Sequence, residues 1–333
     1  MKHSILIIFL TVVLILVAFI SVSVGPADLS FGEILKIFLA KLHFIDYNDI
    51  NIMHENIILH IRFPRTVLAI ITGMALSLAG VILQALLRNP LADPYIIGVS
   101  SGAALGATLA IVLGLISLIS LAGFLGAVLT MFLVYTLART GYKVPVKTLL
   151  LAGVIVSVFL SALITLIASL KGESMGQIIL WLMGNLSEAN ITLIIIAGFL
   201  VLVGLFIAYF FSRDLNIISL GEEGAQHLGV EVEMVKKILF VVTSLITGAV
   251  VAITGLIGFV GLIIPHIMRL IVGPDHRVLI IASVLAGGIF LTLADLVGRT
   301  IISPAEIPVG VITAIFGGPF FLFLLKRKKE IML

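Results

Sequence analysis

Long apolar stretches with few charges alternate along the chain with short polar segments. A bilayer core about 30 Å thick needs roughly 20 helical residues to cross it, and eight stretches come close to or exceed that length. Two of them are long enough for two helices each, with turns expected near residues 114–123 and 255–258. The pattern therefore predicts ten transmembrane helices. The stretches are 5–24, 66–87, 95–138, 149–170, 191–211, 238–272, 278–297 and 307–325.

The first stretch is interpreted as a retained helix rather than a signal peptide. Its apolar part is longer than the roughly 7–15 residues of a signal-peptide core, and no small-residue cleavage site stands out after it. No soluble domain interrupts the pattern. We therefore expect residues 1–333 to form a single all-α domain of a polytopic membrane protein.

Lysine and arginine predict the orientation of this domain, because they accumulate in cytoplasmic loops. An even number of helices places both termini on one side. With cytoplasmic termini, 14 of the 20 lysines and arginines lie inside, whereas the reverse orientation would put 14 outside. This orientation gives a long outer loop at 25–61 and a long inner loop at 213–237. The six outer basic residues are Lys36, Lys41, Arg62, Arg65, Lys171 and Arg299.

Composition narrows the class of function. The chain is 61% hydrophobic and 11% charged, against about 45–50% and about 25% in soluble proteins. This balance excludes a soluble enzyme, a disordered tail and a nucleic-acid binder, and it makes the lipid bilayer the surrounding medium. Cysteine is absent, which excludes disulfides, thiolate metal sites and a cysteine nucleophile.

The outer loop contains one helix signal. Ser30 and Glu33 have the spacing of a capping box. An amphipathic helix at the outer membrane interface is the favoured interpretation, and an ordered loop with some apolar residues is the alternative. A second outer segment predicts a short helix over residues 177–183, which include Trp181. The apolar positions of the first helix are Phe31, Leu35, Phe38 and Leu42.

The inner loop has a helical pattern of its own. It is charged, and glycine breaks at Gly221 and Gly229 divide it into helix, break and helix. A solvated connector is one interpretation. A compact loop with internal helices is also typical of a docking element, and the pattern alone leaves both open.

The chain carries no signature of a catalytic, metal or cofactor site. It lacks the motifs G-x-x-x-x-G-K-[ST], H-E-x-x-H and G-x-S-x-G, and its histidines and acids do not cluster at metal-ligand spacing. We therefore expect no catalytic residues, no bound metal and no cofactor. Any ATP hydrolysis through a phosphate loop must come from a partner.

The positions of the acids bear on whether the chain is an ion-coupled carrier. Ion-coupled carriers typically place carboxylates near the bilayer midplane. Here Asp295 falls toward the outer end of the ninth predicted helix, and Asp93 and Glu306 fall in loops. This argues against an ion-coupled secondary transporter. That class of protein stays open as an alternative, however, because backbone carbonyls can also hold sodium. A channel and a receptor or scaffold are the remaining alternatives.

Small and polar residues form two helical stripes. The stripe in the fifth predicted helix repeats every four residues, and a shorter one lies in the tenth. Each stripe can line a water-filled path or permit close helix packing, and the spacing does not decide between them. The stripes are Gly153, Ser157, Ser161, Thr165 and Ser169, and Gly310, Thr313 and Gly317.

Proline marks a helix start after the second predicted helix. Asp93 is expected to act as the N-cap, with Pro94 at the first helical position. A Thr-Gly pair, a glycine and a proline recur at the same offsets at residues 72–90 and 247–265. This recurrence hints at two duplicated halves of opposite orientation.

Five segments of the chain together resemble the FecCD family, the permeases of ABC importers for iron-siderophores, haem and cobalamin. The segments run in the family's order and cover most of the chain. They are 62–107 (beginning RFPRTVLAIITG), 220–230 (LGEEGAQHLGV), 255–277 (beginning GLIGFVGLIIPHIMR), 293–299 (LADLVGR) and 305–321 (AEIPVGVITAIFGGPFF).

The resemblance implies a transport subunit that is not itself an enzyme. It would form half of the pathway in a type II importer, in the plasma membrane of a prokaryote. Its partners would be a second permease, identical or paralogous, two cytoplasmic ATP-binding subunits and an extracellular substrate-binding protein. The implied substrate is a metal chelate, with an iron(III)-siderophore first and haem or cobalamin next.

The resemblance also assigns candidate residues. Arg62, Arg65 and Arg299 would receive glutamates of the binding protein, since arginine forks pair well with carboxylates; anchoring to lipid headgroups is the alternative. A gate is expected at Val146 and Lys147. The pathway would be lined by Gly153, Ser157, Ser161, Thr165 and Thr313. The ATPase-coupling loop would comprise Gly221, Glu222, Glu223, Ala225, His227, Leu228 and Gly229.

Overall fold

The computed structural model describes residues 2–25, 27, 29–41, 51–188 and 190–331, and this part of the chain is helical without a β-strand. A π-helical turn, Ile57–Arg62, joins α3 to α4 without a break, and short 3-10 turns precede α5, α6 and α8. The helices are α1 (Lys2–Ser23), α2 (Phe31–Lys41), α3 (Ile52–Asn56), α4 (Phe63–Leu86), α5 (Val99–Val112), α6 (Ile119–Ala138), α7 (Val146–Leu170), α8 (Met175–Leu182), α9 (Ile191–Phe210), α10 (Ser212–Leu220), α11 (Glu222–His227), α12 (Val232–Thr254), α13 (Val260–Val272), α14 (His276–Thr300) and α15 (Val309–Ile331).

An apolar helix occupies each of the ten predicted membrane positions. Seven are long and apolar enough to cross a bilayer within the described residues: α1, the continuous α3–α4 helix, α6, α7, α9, α12 and α14. The other three are shorter, namely α5, α13 and the apolar part Val309–Leu322 of α15. The turn expected near residues 114–123 lies around Gly114, whereas Gly123 is inside α6.

Three of the long helices form the centre of the chain. The apolar windows of α4, α12 and α14 are 67–78% buried, against 22–28% for α1, α6, α7 and α9. Glycines let the central backbones approach closely: a Cβ added to Gly73 would clash with the carbonyl of Gly287, and one added to Gly80 would clash with Gly261. Close approach through small residues is a main source of helix association in membranes.

The chain is broken before α5. The carboxylate of Asp93 accepts a hydrogen bond from the backbone N–H of Tyr95 at 2.8 Å, so Asp93 is an N-cap as expected. It caps the 3-10 turn Pro94–Ile97 rather than α5 itself, because Gly98 interrupts the helix with φ +83°. The left-handed conformation at that position suits glycine, which lacks a Cβ.

A second break separates α12 from α13. Residues 255–259 are not helical, and Gly255 and Phe259 both have φ +69°. The two breaks meet: the backbone N–H of Ile257 donates to the Tyr95 hydroxyl oxygen at 2.5 Å. These irregular segments have peptide groups without helical partners, and burial inside protein is what permits such backbone at membrane depth.

The amphipathic outer helix is present as α2, with its capping box formed. The backbone N–H of Ser30 donates to Glu33 at 3.0 Å, and the N–H of Glu33 donates to the Ser30 hydroxyl at 3.3 Å. The Ser30 hydroxyl also donates to the Glu33 carboxylate, at 2.8 Å, and the two hydrogen bonds that the carboxylate accepts from Ser30 are the main cause that lowers the pKa of the Glu33 carboxyl. The predicted 177–183 helix is also present, as α8.

The face by which α2 packs on the protein is not the apolar face predicted to lie at the membrane interface. Ile34, Ile37 and Ala40 are buried, whereas Leu35 is exposed. Both faces of this helix carry apolar residues, so packing on the protein leaves Leu35 available for the predicted contact with the membrane interface. Leu42 lies outside the described residues.

Candidate functional site

The end of the bundle that is predicted to face outside carries a buried ion cluster. Arg65, in the first turn of α4, donates to Asp295 of α14 at 2.8 Å and to Glu306 of the α14–α15 loop at 2.8 Å. The Asp295 side chain is 1% exposed and the Glu306 side chain is 38% exposed. The cluster therefore has one carboxylate inside the bundle and one at its surface.

Two further arginines bind the C-terminal end of α1. Arg62 donates to the carbonyls of Ser23 at 2.8 Å and Ala27 at 2.6 Å. Arg299 donates to the carbonyl and the hydroxyl of Ser21 and lies 3.5 Å from Asp295. The last carbonyls of a helix have no partner within it, and these arginines supply the donors.

The placement of the three arginines differs from the expectation of outward-pointing side chains. Arg62, Arg65 and Arg299 are 4%, 8% and 3% exposed. A charge at this depth is costly unless it is paired, and each guanidinium has partners within the chain. Of the acids that hold these arginines, Glu306 is the one that reaches the surface.

The predicted inner loop begins with a compact segment, residues 212–231, at the opposite end of the bundle from the Arg65 cluster. We call it the coupling segment, after the role that the resemblance implies for it. Gly221 and Gly229 separate α10, α11 and α12, as the sequence predicts. Gly229, with φ +82°, ends α11 in a Schellman motif: its N–H donates to Gln226, and the N–H of Val230 donates to Ala225.

The coupling segment presents apolar side chains to its surroundings. Leu228 is 69% exposed, and Leu220, just before the first glycine, is 87% exposed. Ala225 is fully buried and holds α11 on the core, so it cannot contact a partner directly. The sequence reasoning included Ala225 and missed Leu220; an apolar residue beside a glycine break was the available signal.

A second ion cluster, the Lys236 triad (Glu222, Glu233 and Lys236), joins the coupling segment to its neighbours. Lys236 donates to Glu222 of α11 at 3.0 Å and to Glu233 of α12 at 2.8 Å. The other carboxylate oxygen of Glu233 accepts from the backbone N–H of Val144, in the α6–α7 turn, at 3.1 Å. Sequence reasoning missed this cluster, although Glu233 and Lys236 have the i,i+3 spacing of a helical ion pair.

The stripe of the fifth predicted helix divides into two parts on α7. Gly153 is buried, and a Cβ there would meet the backbone of Ile96 and Ile97 in the 3-10 turn. Ser157 is half-buried beside Gly98, so this half of the stripe packs against the 3-10 turn that precedes α5. Ser161 and Thr165 are exposed on the single chain. Only the second half is open to a neighbouring subunit or to a pathway.

The small residues of α15 pack instead of facing open space. Thr313 is fully buried, and its hydroxyl donates to the carbonyl of Gly310 in its own helix at 3.0 Å. A Cβ at Gly310 would clash with the carbonyls of Met183 and Leu256. In this chain, Thr313 therefore does not line an open path.

The expected gate lies at the start of α7. Val146 is half-buried against the apolar cluster between α4, α6 and α7, and Lys147 is exposed. Val144, two residues earlier, is buried and carries the hydrogen bond to Glu233. Within the described ranges, no group of three or more His, Asp or Glu side chains could hold a metal ion.

Comparisons with known proteins cover nearly the whole chain. The model of the FecCD transport family matches residues 13–327. The cobalamin import system permease protein BtuC of Halobacterium salinarum is 44% identical over 271 residues, which cover 81% of this chain and 73% of that protein. The hemin transport system permease protein HmuU of Yersinia pestis is 36% identical over 330 residues, covering 97% of this chain and 95% of that protein.

A solved structure shares the fold. It is described as an inward-facing conformation of a metal-chelate type ABC transporter, and it superposes with a TM-score of 0.84 at 33% identity. The aligned region covers 96% of this chain and 98% of that one. A family match across nearly all residues, together with relatives of this similarity, shows that the chain belongs to the FecCD transport family of ABC transporter permeases.

Proposed function

We propose that the chain is the transmembrane subunit of an ATP-driven importer and forms half of the translocation pathway for a metal chelate. The observation that carries the proposal is its similarity over nearly its whole length to a metal-chelate type ABC transporter. The sequence has no phosphate loop, so two ATP-binding subunits would supply the hydrolysis. An extracellular binding protein would deliver the chelate.

The proposal includes ten membrane crossings with both termini in the cytoplasm. The charge asymmetry of the loops supports this orientation. The Arg65 cluster and the coupling segment lie at opposite ends of α14, with Asp295 and Arg299 near its C-terminus and Asn216 bonded to His276 at its N-terminus, so the two would face opposite sides of the membrane. The coupling segment would then face the cytoplasm.

Exposed surfaces of the single chain support a second permease subunit. The apolar windows of α6, α7 and α9 are 22–28% buried, and each of these helices has an outward apolar face that needs lipid or protein against it. Ser161 and Thr165 interrupt the exposed apolar face of α7. We assign this polar part of α7 to the pathway between two permeases, identical or paralogous.

Leu220, His227 and Leu228 support docking of the ATPase on the coupling segment, because all three are exposed beside glycine breaks. At the other end, Arg65 supports docking of the binding protein. An acid of the partner would compete with Glu306 for the surface side of the Arg65 guanidinium, while Asp295 stays bound.

The two relatives named above support a metal chelate without selecting one. BtuC is named for cobalamin and HmuU for hemin, and the resemblance of the sequence to the family implies an iron(III)-siderophore first. The test is accumulation of a radiolabelled ferric siderophore, haem and cobalamin in cells with and without this chain. We expect removal of the chain to abolish accumulation of one of the three. Accumulation of all three at the wild-type level would contradict the proposal.

A further inference from the structure

Lys236 is an almost fully buried cation at the predicted inner end. The residue is 8% exposed and lies in the second turn of α12. A buried ammonium is stable only when it is paired and hydrogen-bonded, and Lys236 has two carboxylate partners, Glu222 at 3.0 Å and Glu233 at 2.8 Å. Its charge therefore fixes the distance between α11 and α12.

Glu233 extends this connection to a third element. One of its oxygens binds Lys236, and the other accepts from the N–H of Val144 at 3.1 Å. Val144 is buried in the α6–α7 turn, immediately before Pro145 and the first residue of α7. Val144, Val146 and Lys236 also line one small cavity of about 20 Å³, so the lysine stem lies directly beside the turn.

Apart from the Lys236 triad, α11 is attached by the packing of Ala225 and by flanking backbone that can rotate. Glycines flank it on both sides, Gly221 with φ +145° and Gly229 with φ +82°, and such glycines absorb backbone rotation at low cost. Its Ala225 packs on the core. Among the residues that the structure describes, no hydrogen bond or ion pair joins α11 directly to the α6–α7 turn.

We propose that the Lys236 triad is the connection that carries movement of α11 to the α6–α7 turn and the start of α7. This inference rests on the proposed function, in which α11 docks on the ATPase. When the ATPase displaces α11, Glu222 displaces Lys236, and Glu233 passes the displacement to Val144. Lys236 acts as a positioning residue, since it contacts neither the chelate nor ATP.

Lys236→Met tests the connection because it removes the charge and keeps most of the apolar stem. Glu222 and Glu233 are each 28% exposed, so water can hydrate them when the lysine is gone. Lys237→Met is the matched control, because Lys237 is exposed and has no ion-pair partner within the described residues. Lys236→Arg keeps the charge and should keep the connection.

The measurement is the number of ATP molecules hydrolysed per chelate transported by the full complex in proteoliposomes. We expect Lys236→Met to raise this ratio about threefold or more, the size of effect that coupling residues show, whereas Lys237→Met and Lys236→Arg keep the wild-type ratio. A merely structural role would lower hydrolysis and transport together. An unchanged ratio in Lys236→Met overturns the inference.

A distance measurement gives a second readout. The chain has no cysteine, so spin labels can be attached at Gln226→Cys in α11 and Tyr142→Cys in the turn, both exposed positions. In the wild-type background the distance between the labels should stay constant when ATP binds, because the two elements move together. In Lys236→Met it should change; a constant distance there also overturns the inference.

The two proposals fail in distinguishable ways. If the complex with wild-type Lys236 does not transport any chelate with ATP, the proposed function fails and the inference with it. If that complex transports normally and Lys236→Met keeps both the ratio and the label distance, only the connection through Lys236 fails.

Discussion

The Arg65 guanidinium divides its donors between a buried carboxylate and a surface carboxylate. Removing Arg65 would leave Asp295, 1% exposed, without its closest partner, and breaking a buried pair in this way costs about 3–5 kcal/mol. Variants of Arg65 therefore mix docking effects with loss of stability. Glu306 offers the cleaner test, since its side chain is partly hydrated already.

Glu306→Gln should strengthen docking of the binding protein. The substitution removes the acid that competes for Arg65 and leaves the Asp295 pair in place. We expect the affinity to rise roughly 2–5-fold, in line with about 0.2–1 kcal/mol for a surface ion pair. Biolayer interferometry with the permease complex in nanodiscs measures it.

Glu188→Gln is the control for this experiment. Glu188 is an exposed acid near the same end of the bundle, without an ion-pair partner in the described part of the chain. It reports the effect of one lost negative charge. Equal affinities for the Glu306 and Glu188 variants would show that Arg65 is not a docking group.

At the scale of single residues, the sequence predicted that the three arginines lie on the same side, but it did not predict which acids they bind. Arg62, Arg65 and Arg299 were assigned to the outer side, and all three do lie at one end of the bundle. Arg65 and Asp295 are 230 positions apart, and Arg65 and Glu306 are 241 apart. Only the packing of α4 against α14 brings them together, so their burial was not readable from the pattern of charges.

Among the elements, the coupling segment is a short helix held between two glycines with an apolar tip. Leu220 and Leu228 leave apolar surface in water unless a partner covers it. Exposed apolar side chains that rim a helix are common anchors of protein interfaces, where a few residues carry most of the binding energy. The arrangement favours Leu228 as an anchor for the ATPase.

Leu228→Asp should release the ATPase subunits. A buried carboxylate without a partner opposes docking, and loss of an anchor residue typically weakens binding about tenfold or more. The measurement is the amount of ATPase that co-purifies with the tagged permease in detergent. Leu170→Asp, which changes an equally exposed leucine at the far end of α7, serves as the control. Wild-type co-purification of the Leu228 variant would contradict this assignment.

Local sequence signals predicted several of the helices and of the breaks between them. The capping box of α2, the short helix α8 and the glycine breaks of the coupling segment are all present. The face by which α2 packs on the protein was not predicted, because the helix is apolar on more than one side. The turn expected near residues 255–258 is present as the non-helical segment 255–259.

For the whole molecule, apolar patterning predicted ten helices, and the structure contains an apolar helix at each of the ten positions. Seven have crossing length, and the other three are shorter within the described residues. Pattern could not show that α4, α12 and α14 form the centre, because lipid-facing and protein-facing apolar residues have the same hydropathy. Only the buried fraction of each helix in the structure distinguishes the central helices from the peripheral ones.

The charge distribution also has its meaning at this scale. The predicted inner side holds 14 of the 20 lysines and arginines. In that orientation the net charge of +3 would be an asymmetry across the membrane rather than a basic surface for a polyanion. The inner basic residues flank the coupling segment and the helix ends. The outer arginines are used inside the bundle.

We propose that import through this chain is driven by ATP bound to partner subunits. The most direct measurement is chelate accumulation in proteoliposomes that contain the permease, its ATPase and its binding protein. We predict accumulation only with Mg²⁺ and ATP on the ATPase side, and none from an imposed proton or sodium gradient. Accumulation driven by such a gradient in the absence of ATP would contradict ATP-driven import and favour an ion-coupled carrier.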